Sequence, residues 1–276
     1  MSDQLQNNRP IAVFDSGVGG LTVLKSLRDR LPGEDLLYLG DTARLPYGTK
    51  SERSIHRYAK QAADHLIKRD IKLLVVACNT VSAVALPELE ESLSPVPVIG
   101  VVEPGAKAAV NQCPGGRHLV LATEATVSLG AYGKALRQLD DAAVVTELPC
   151  ELLVALAEEG WSEGSVAESI VRQYLQPFIT AAEACRPQCI ILGCTHFPIL
   201  KQAIRAVVGD DVCIVDSADT TAAVVEQHLL ANNAARDAGP GSLHLLATDG
   251  VRRFARVGGS FLGTKLAASD IELVDL

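Results

Sequence analysis

Short runs rich in Val, Ile and Leu recur along this chain, each separated from the next by a longer stretch with helical spacing. That alternation restricts the fold more than any other feature. Continuous apolar runs of this length suit strands buried on both faces of a parallel sheet, and the segments between them suit crossover helices. Leu21, Leu24, Leu27 and Leu31, or Ile55, Ala59, Ala62 and Leu66, stand three and four apart as one helix face requires. Strands are expected at 11–14, 36–39, 73–77, 98–101, 119–122, 143–146, 189–192, 212–215 and 243–247. The expected fold class is α/β, with mostly parallel sheets flanked by helices.

The chain also repeats itself. Leu73-Leu-Val-Val-Ala-Cys78-Asn-Thr and Cys189-Ile-Ile-Leu-Gly-Cys194-Thr-His share one plan: an apolar strand, a small residue, a cysteine, then polar helix-start residues. Ile11-Ala-Val-Phe-Asp15 matches Leu119-Val-Leu-Ala-Thr123 in the same way. Copies roughly half a chain apart predict two pseudo-symmetric lobes facing each other across a cleft. Pro95, Pro97 and Glu103-Pro104-Gly105 mark one crossing between lobes, and residues 208–211 mark the return. The first lobe is therefore expected to hold residues 1–98 and 211–276, and the second residues 99–210. A length of 276 residues suits two such units. Residues 232–241, rich in Asn, Ala, Gly and Pro, read as a surface loop.

Composition narrows the function. With 48% hydrophobic and 21% charged residues the chain can build full cores, which excludes a disordered protein. Lys and Arg total 25 against 33 Asp and Glu, a net charge of −8, and aromatic residues make up 4%. Phosphate neutralisation and base stacking ask for the opposite, so no nucleic-acid partner is expected. Residues 1–10 are polar, and no apolar run approaches the ~18 residues that cross a bilayer, so no membrane partner is expected and the location is expected to be cytoplasmic. The seven cysteines form no CxxC pair and no His stands at zinc-ligand spacing, which fits reduced thiols. Cys185, Cys189 and Cys194 are the most metal-like set, but they fall across an apolar strand, and no metal is expected.

Open α/β sheets bind ligands beyond the carboxyl ends of their strands. Here those ends carry Asp15 and Ser16, Asp41 and Thr42, Cys78, Asn79 and Thr80, Thr123, and Cys194, Thr195 and His196. A buried cysteine is ordinarily a small apolar residue, and Cys113, Cys150, Cys185, Cys189 and Cys213 read that way. Cys78 and Cys194 share a matched context, each at an expected helix N-terminus where the dipole favours thiolate. Two opposed thiol groups suit proton removal from one face of a carbon and return to the other, which is racemisation or epimerisation. Hydrolysis or acyl transfer needs only one nucleophile. Asp15, ahead of Ser16-Gly17-Val18-Gly19-Gly20, reads either as a helix cap or as part of an anion-binding loop, and these glycines do not form a dinucleotide fingerprint. His196 reads either as a partner of Cys194 in proton transfer or as a packed helix-start residue. Lys and Arg are absent from these loops, with Arg44 the nearest. An anionic substrate would then be held by backbone N–H groups and by Ser16, Asn79, Thr80, Thr123, Thr126 and Thr195.

Asp15-Ser16-Gly17-Val18-Gly19-Gly20, Gly40-Asp41-Thr42 with Pro46-Tyr47-Gly48, Ala77-Cys78-Asn79-Thr80, Glu103-Pro104, Gly193-Cys194-Thr195-His196 and Ala247-Thr248-Asp249-Gly250 with Phe254 closely resemble the glutamate racemase family, over nearly the whole chain. The resemblance implies a cofactor-independent enzyme of two α/β lobes that interconverts L- and D-glutamate for peptidoglycan. It implies that Cys78 and Cys194 are the acid/base pair on opposite faces of the substrate, with Asp15 assisting the first and His196 the second. Asp15, Ser16, Tyr47, Gly48, Asn79, Thr80, Thr195 and His196 would line the substrate site, and a homodimer is expected. Residues 148–158 depart from the family pattern, which leaves Glu158 outside the expected catalytic set. Competing readings are a racemase of aspartate or another acidic substrate, a noncatalytic two-lobe binding protein, and a regulatory partner of a DNA enzyme.

Overall fold

The computed structural model describes residues 7–237 and 239–276, so part of the polar stretch 1–10 lies outside the described residues. The strands are β1 Ile11–Asp15, β2 Leu36–Gly40, β3 Leu73–Val76, β4 Val98–Gly100 and β5 Arg117–Ala122. They continue with β6 Val144–Pro149, β7 Cys189–Gly193, β8 Cys213–Asp216, β9 Leu243–Ala247 and β10 Ile271–Leu273. Every paired neighbour is parallel. The first sheet has the order β10-β9-β2-β1-β3-β4 and the second β6-β5-β7-β8.

The second order repeats the inner part of the first, with β6, β5, β7 and β8 standing where β2, β1, β3 and β4 stand. The internal repeat of the sequence is thus a repeat of topology. In both sheets the strand that follows the Asp15-type or Thr123-type copy lies on one side, and the cysteine-bearing strand lies on the other. A topological switch therefore falls between β1 and β3, and again between β5 and β7. Each switch opens a crevice at the carboxyl ends of the strands.

The expected boundaries need correction at both crossings. Residues 213–216, assigned to the first lobe by a return at 211, form β8 and hydrogen-bond to β7 in the second sheet. The chain returns only through the helix Ser217–Ala231. β4 likewise extends to Gly100 and belongs to the first sheet. The Gly209-Asp210-Asp211 turn that suggested a crossing is only the loop between a helix and its next strand. β10 escaped the sequence reading, because three residues at a sheet edge carry no periodicity.

Burial explains the layering. Ile11 and Val13 face one side of β1, Ala12 and Phe14 the other, and all four are fully buried. The first side joins Leu119, Leu121, Ile190 and Leu192 of the second sheet and the helices Leu21–Arg30 and Ser217–Ala231 in one contiguous core. The outer faces of the two sheets have cores of their own. A shared middle core holds the two strand-end crevices toward one another. Among the described residues no helix is long and apolar enough to cross a membrane.

Candidate active site

The two cysteine motifs open onto one cavity of about 50 Å³. Ser16, Tyr47, Gly48, Cys78, Asn79, Thr80, Thr123, Cys194, Thr195 and His196 line it, together with Pro46, Glu151 and Val154. Residues from both strand-end crevices are thus brought to one place. Asp15 stands behind this wall, 1% exposed at the end of β1.

Asp15 is enclosed by the loop that follows it. Its Oδ2 accepts the Gly17 N–H at 2.9 Å, and its Oδ1 has no hydrogen-bond partner among the described residues. A Cβ on Gly20 would lie 2.5 Å from Asp15 Cβ and 3.0 Å from Ala77 Cβ, so glycine is what lets the loop close over the carboxylate. Burial raises the Asp15 pKa, against the opposing pull of the His196 charge and the N–H groups of Gly20, Gly17 and Ser16.

Cys78 caps the six-residue helix Asn79–Val84, and its carbonyl accepts the Ser82 N–H at 2.9 Å. Its Sγ donates to Ser16 Oγ at 3.5 Å. The helix dipole does not make this thiol acidic as the sequence suggested. Burial, seconded by the nearby Asp15 charge, pushes it up to about 12, because desolvation of an ionised sulfur outweighs the dipole of one short helix.

Cys194 departs from the expected symmetry. An α-helix capped by Cys194 would need the N–H of residue 198 to bond its carbonyl, and Pro198 has none. The Cys194 carbonyl instead accepts the Phe197 N–H at 3.0 Å, and the chain makes a 3₁₀ turn, Phe197–Leu200, before the helix Lys201–Val208. His196 Nδ1 lies 3.8 Å from Cys194 Sγ, and His196 Nε2 donates to Glu158 Oε1 at 3.2 Å. Arg253 in turn donates to Glu158 Oε2 at 2.6 Å. Burial opposes the His196 charge, but the bonds to Cys194 and Glu158 and the charge of Asp15 raise its pKa to about 10. The site therefore has a cation, although among the described residues no Lys or Arg lines the cavity. Glu158 is held below its ordinary value by the His196 bond, despite partial burial, with help from Arg253.

Uncharged polar contacts join the two halves. Tyr132 OH donates to Asn79 Oδ1 at 2.7 Å, and Thr22 Oγ1 donates to the Thr195 carbonyl at 2.9 Å. The hydroxyls of Thr80, Thr123 and Thr126 lie 3.1 to 3.3 Å apart. A Cβ on Gly19 would fall 2.4 Å from Thr195 Oγ1 and 2.5 Å from His196 Nδ1, so a bare backbone is needed there. Asn79 Nδ2 is buried and has no hydrogen-bond partner among the described residues. Asp41, fully buried, accepts from Tyr47 OH, Arg44 Nε and Thr248 Oγ1, and so fixes the turn that presents Tyr47 and Gly48.

The sequence reading named Glu158 but left it outside the catalytic set, and it did not find Arg253. They stand 38 and 57 residues from His196, and no local pattern joins them; the acidic end of the apolar helix Glu151–Glu158 was the one available signal.

The Asp/Glu/Hydantoin racemase family model matches residues 21–225. A glutamate racemase of Geobacter metallireducens is 46% identical over 94% of this chain and 94% of its own. One of Chlorobaculum parvum is 41% identical over 99% of this chain and 98% of its own. The crystal structure of glutamate racemase from Francisella tularensis in complex with D-glutamate superposes with a TM-score of 0.88 at 36% identity, covering 98% of each chain.

Proposed function

Because the chain belongs to the Asp/Glu/hydantoin racemase family, we propose that it interconverts L- and D-glutamate, with Cys78 and Cys194 as acid and base and with no cofactor. The observation that carries this reading is the pair of cysteines at topologically matched strand ends, both open to one small cavity.

The two halves suit different moments of one cycle. A negative charge on Cys194 meets the imidazolium of His196, which Glu158 holds in place. Cys78, pushed up to about 12, starts as the thiol. In one direction the Cys194 thiolate removes the α-proton and Cys78 delivers its own proton to the opposite face. The reverse direction begins from the Cys78 thiolate, a strong base because burial and Asp15 do nothing to stabilise it. That strength is useful against so weak an acid as an amino-acid α-hydrogen. The unpartnered Asn79 amide, the threonine hydroxyls and His196 supply fixed dipoles and one charge for the developing carbanion and the substrate carboxylates.

A cavity of about 50 Å³ holds about four ordered waters, too little for a five-carbon amino acid, so the halves part to admit substrate. X-ray scattering profiles that are identical with and without glutamate would count against that motion. In the cell this reading makes the protein a cytoplasmic, homodimeric source of D-glutamate for peptidoglycan; restored growth of a D-glutamate auxotroph is the check.

The deciding experiment is circular dichroism of L-glutamate incubated with the protein after removal of metals and pyridoxal phosphate. Decay of the signal to zero with the parent protein, but not with Cys78→Ala or Cys194→Ala, is expected. A flat trace with glutamate and decay with aspartate would move the substrate to the shorter acid. Flat traces with both would leave a binding protein.

A further inference from the structure

A second group of thiols lies at the other end of the second sheet. Cys113 closes the helix Val102–Gln112, Cys189 opens β7 and Cys213 opens β8. Cys189 and Cys213 are register partners on adjacent parallel strands, so both side chains leave the same face, which packs with that helix. The three Sγ atoms all lie within 4.8 Å of one another. Cys189 is fully buried, whereas Cys113 and Cys213 are half-buried and give the trio a route to solvent. The Cys213 thiol donates to Gln112 Oε1, which places an oxygen beside the sulfurs, and the Cys113 thiol donates to the Gln188 carbonyl at 3.8 Å. Spacing along the chain conceals the group, because two of its members are first residues of strands that only the sheet brings together.

We propose that Cys113, Cys189 and Cys213 form a binding site for a thiophilic divalent cation of the zinc type, with Gln112 Oε1 beside the fourth position. Tetrahedral Zn–S bonds of about 2.3 Å set the sulfurs roughly 3.8 Å apart, so the trio needs to contract by no more than about 1 Å. On binding, three S–H bonds break, three metal–sulfur bonds form, three protons pass to solvent, and the site keeps one net negative charge. A disulfide is the other use of neighbouring thiols, but it joins two sulfurs and leaves the third without a role. The site is separate from the catalytic cavity, because β7 carries Cys189 at its start and Cys194 just beyond its end. Its ligands tie one helix to two strands, so the cation is expected to act on stability.

The test is Co²⁺ titration of the reduced, chelator-treated full-length protein, since cobalt bound by thiolates shows intense charge-transfer and d–d absorption. One equivalent per chain is expected, displaced by Zn²⁺, with bands retained in Cys78→Ala and Cys194→Ala and abolished in Cys113→Ser/Cys213→Ser. Zn²⁺ should raise the Tm of the parent protein and not that of the double variant. Cys213→Ser alone, at a half-buried position, serves if the double variant does not fold. Absence of the bands in the parent protein overturns the proposal, as do bands lost with the catalytic cysteines but kept in the double variant. A Cys113–Cys213 disulfide in the purified chain, with no cobalt binding after reduction, overturns it in favour of a redox pair.

Discussion

The Cys78 and Cys194 halves of the cavity descend from the same strand-and-turn plan and differ at one backbone position. Four residues after the first cysteine stands Ser82, whose N–H bonds the Cys78 carbonyl and starts a helix. Four residues after the second stands Pro198, which has no N–H to give, and the turn tightens instead. The electrostatics diverge as well: a hydroxyl and a buried carboxylate near Cys78, a buried imidazolium backed by Glu158 and Arg253 near Cys194. Matched topology thus sets where the two sulfurs stand, and unmatched neighbours set what each sulfur is ready to do.

Removing either sulfur tests that division most severely. Cys78→Ala and Cys194→Ala should each lower kcat by about a thousandfold or more in both directions, since either change leaves one face of the substrate without a proton carrier. Exchange of the α-hydrogen in deuterated buffer should nonetheless persist for opposite enantiomers in the two variants. Equal loss for both enantiomers in both variants would break the one-sulfur-per-face reading.

A smaller effect is expected from Glu158→Gln. Loss of the charged acceptor for His196 should cost about 1.5 kcal/mol, or roughly tenfold in kcat. The pH dependence sharpens the point. The raised His196 pKa contributes stability that is complete below the ordinary value of 6.5 and is lost as the pH rises through about 10. The depressed Glu158 pKa contributes stability that is complete above the ordinary 4.5 and is lost as the pH falls below it. In Glu158→Gln the alkaline limb of kcat should move to lower pH, measured beside the parent protein. An unmoved limb would mean that Glu158 does not hold the His196 charge.

How much of this was legible follows from which contacts are local. The strands were readable because β1, β3, β5 and β7 are covered on both faces, so each contains an unbroken apolar run of four or more residues. Much of the cavity lining was readable because Ser16, Cys78, Asn79, Thr80, Thr123, Cys194, Thr195 and His196 follow strand ends closely in sequence, whereas Tyr47 and Gly48 came only from the family resemblance and Glu151 and Val154 from neither. The place of β8 was not, since pairing with β7 is settled by the sheet and not by the turn before it. Arg253 and the Cys113, Cys189 and Cys213 group were hidden for the same reason, whereas Glu158 was set aside because residues 148–158 depart from the family pattern. The basicity of the Cys78 thiol was read with the wrong sign, because a helix start is visible in sequence and complete burial is not.

Two further changes probe the junction between halves. Tyr132→Phe removes the donor to Asn79 Oδ1, leaving a buried acceptor unpaired, and should destabilise by about 1–3 kcal/mol, read as a Tm lowered by several degrees. An unchanged Tm would mean that water replaces the phenol hydroxyl. The mildest change is Pro198→Ala, which restores the missing N–H. Its new amide should bond the Cys194 carbonyl and exchange slowly in hydrogen–deuterium exchange, with kcat altered only a few-fold. Rapid exchange would show that something other than the proline keeps the two turns different.

Apart from the Arg253–Glu158 ion pair, whose guanidinium is largely exposed, the clasp across the cavity consists of neutral donors and acceptors: a phenol on an amide, and hydroxyls on hydroxyls and on a carbonyl. Water can take over each such bond at a net difference of about 1 kcal/mol, whereas parting a buried ion pair would strand a charge. Access to the interior is therefore governed by a latch with a low release energy. Such a latch favours rapid passage of substrate and product over long retention of either.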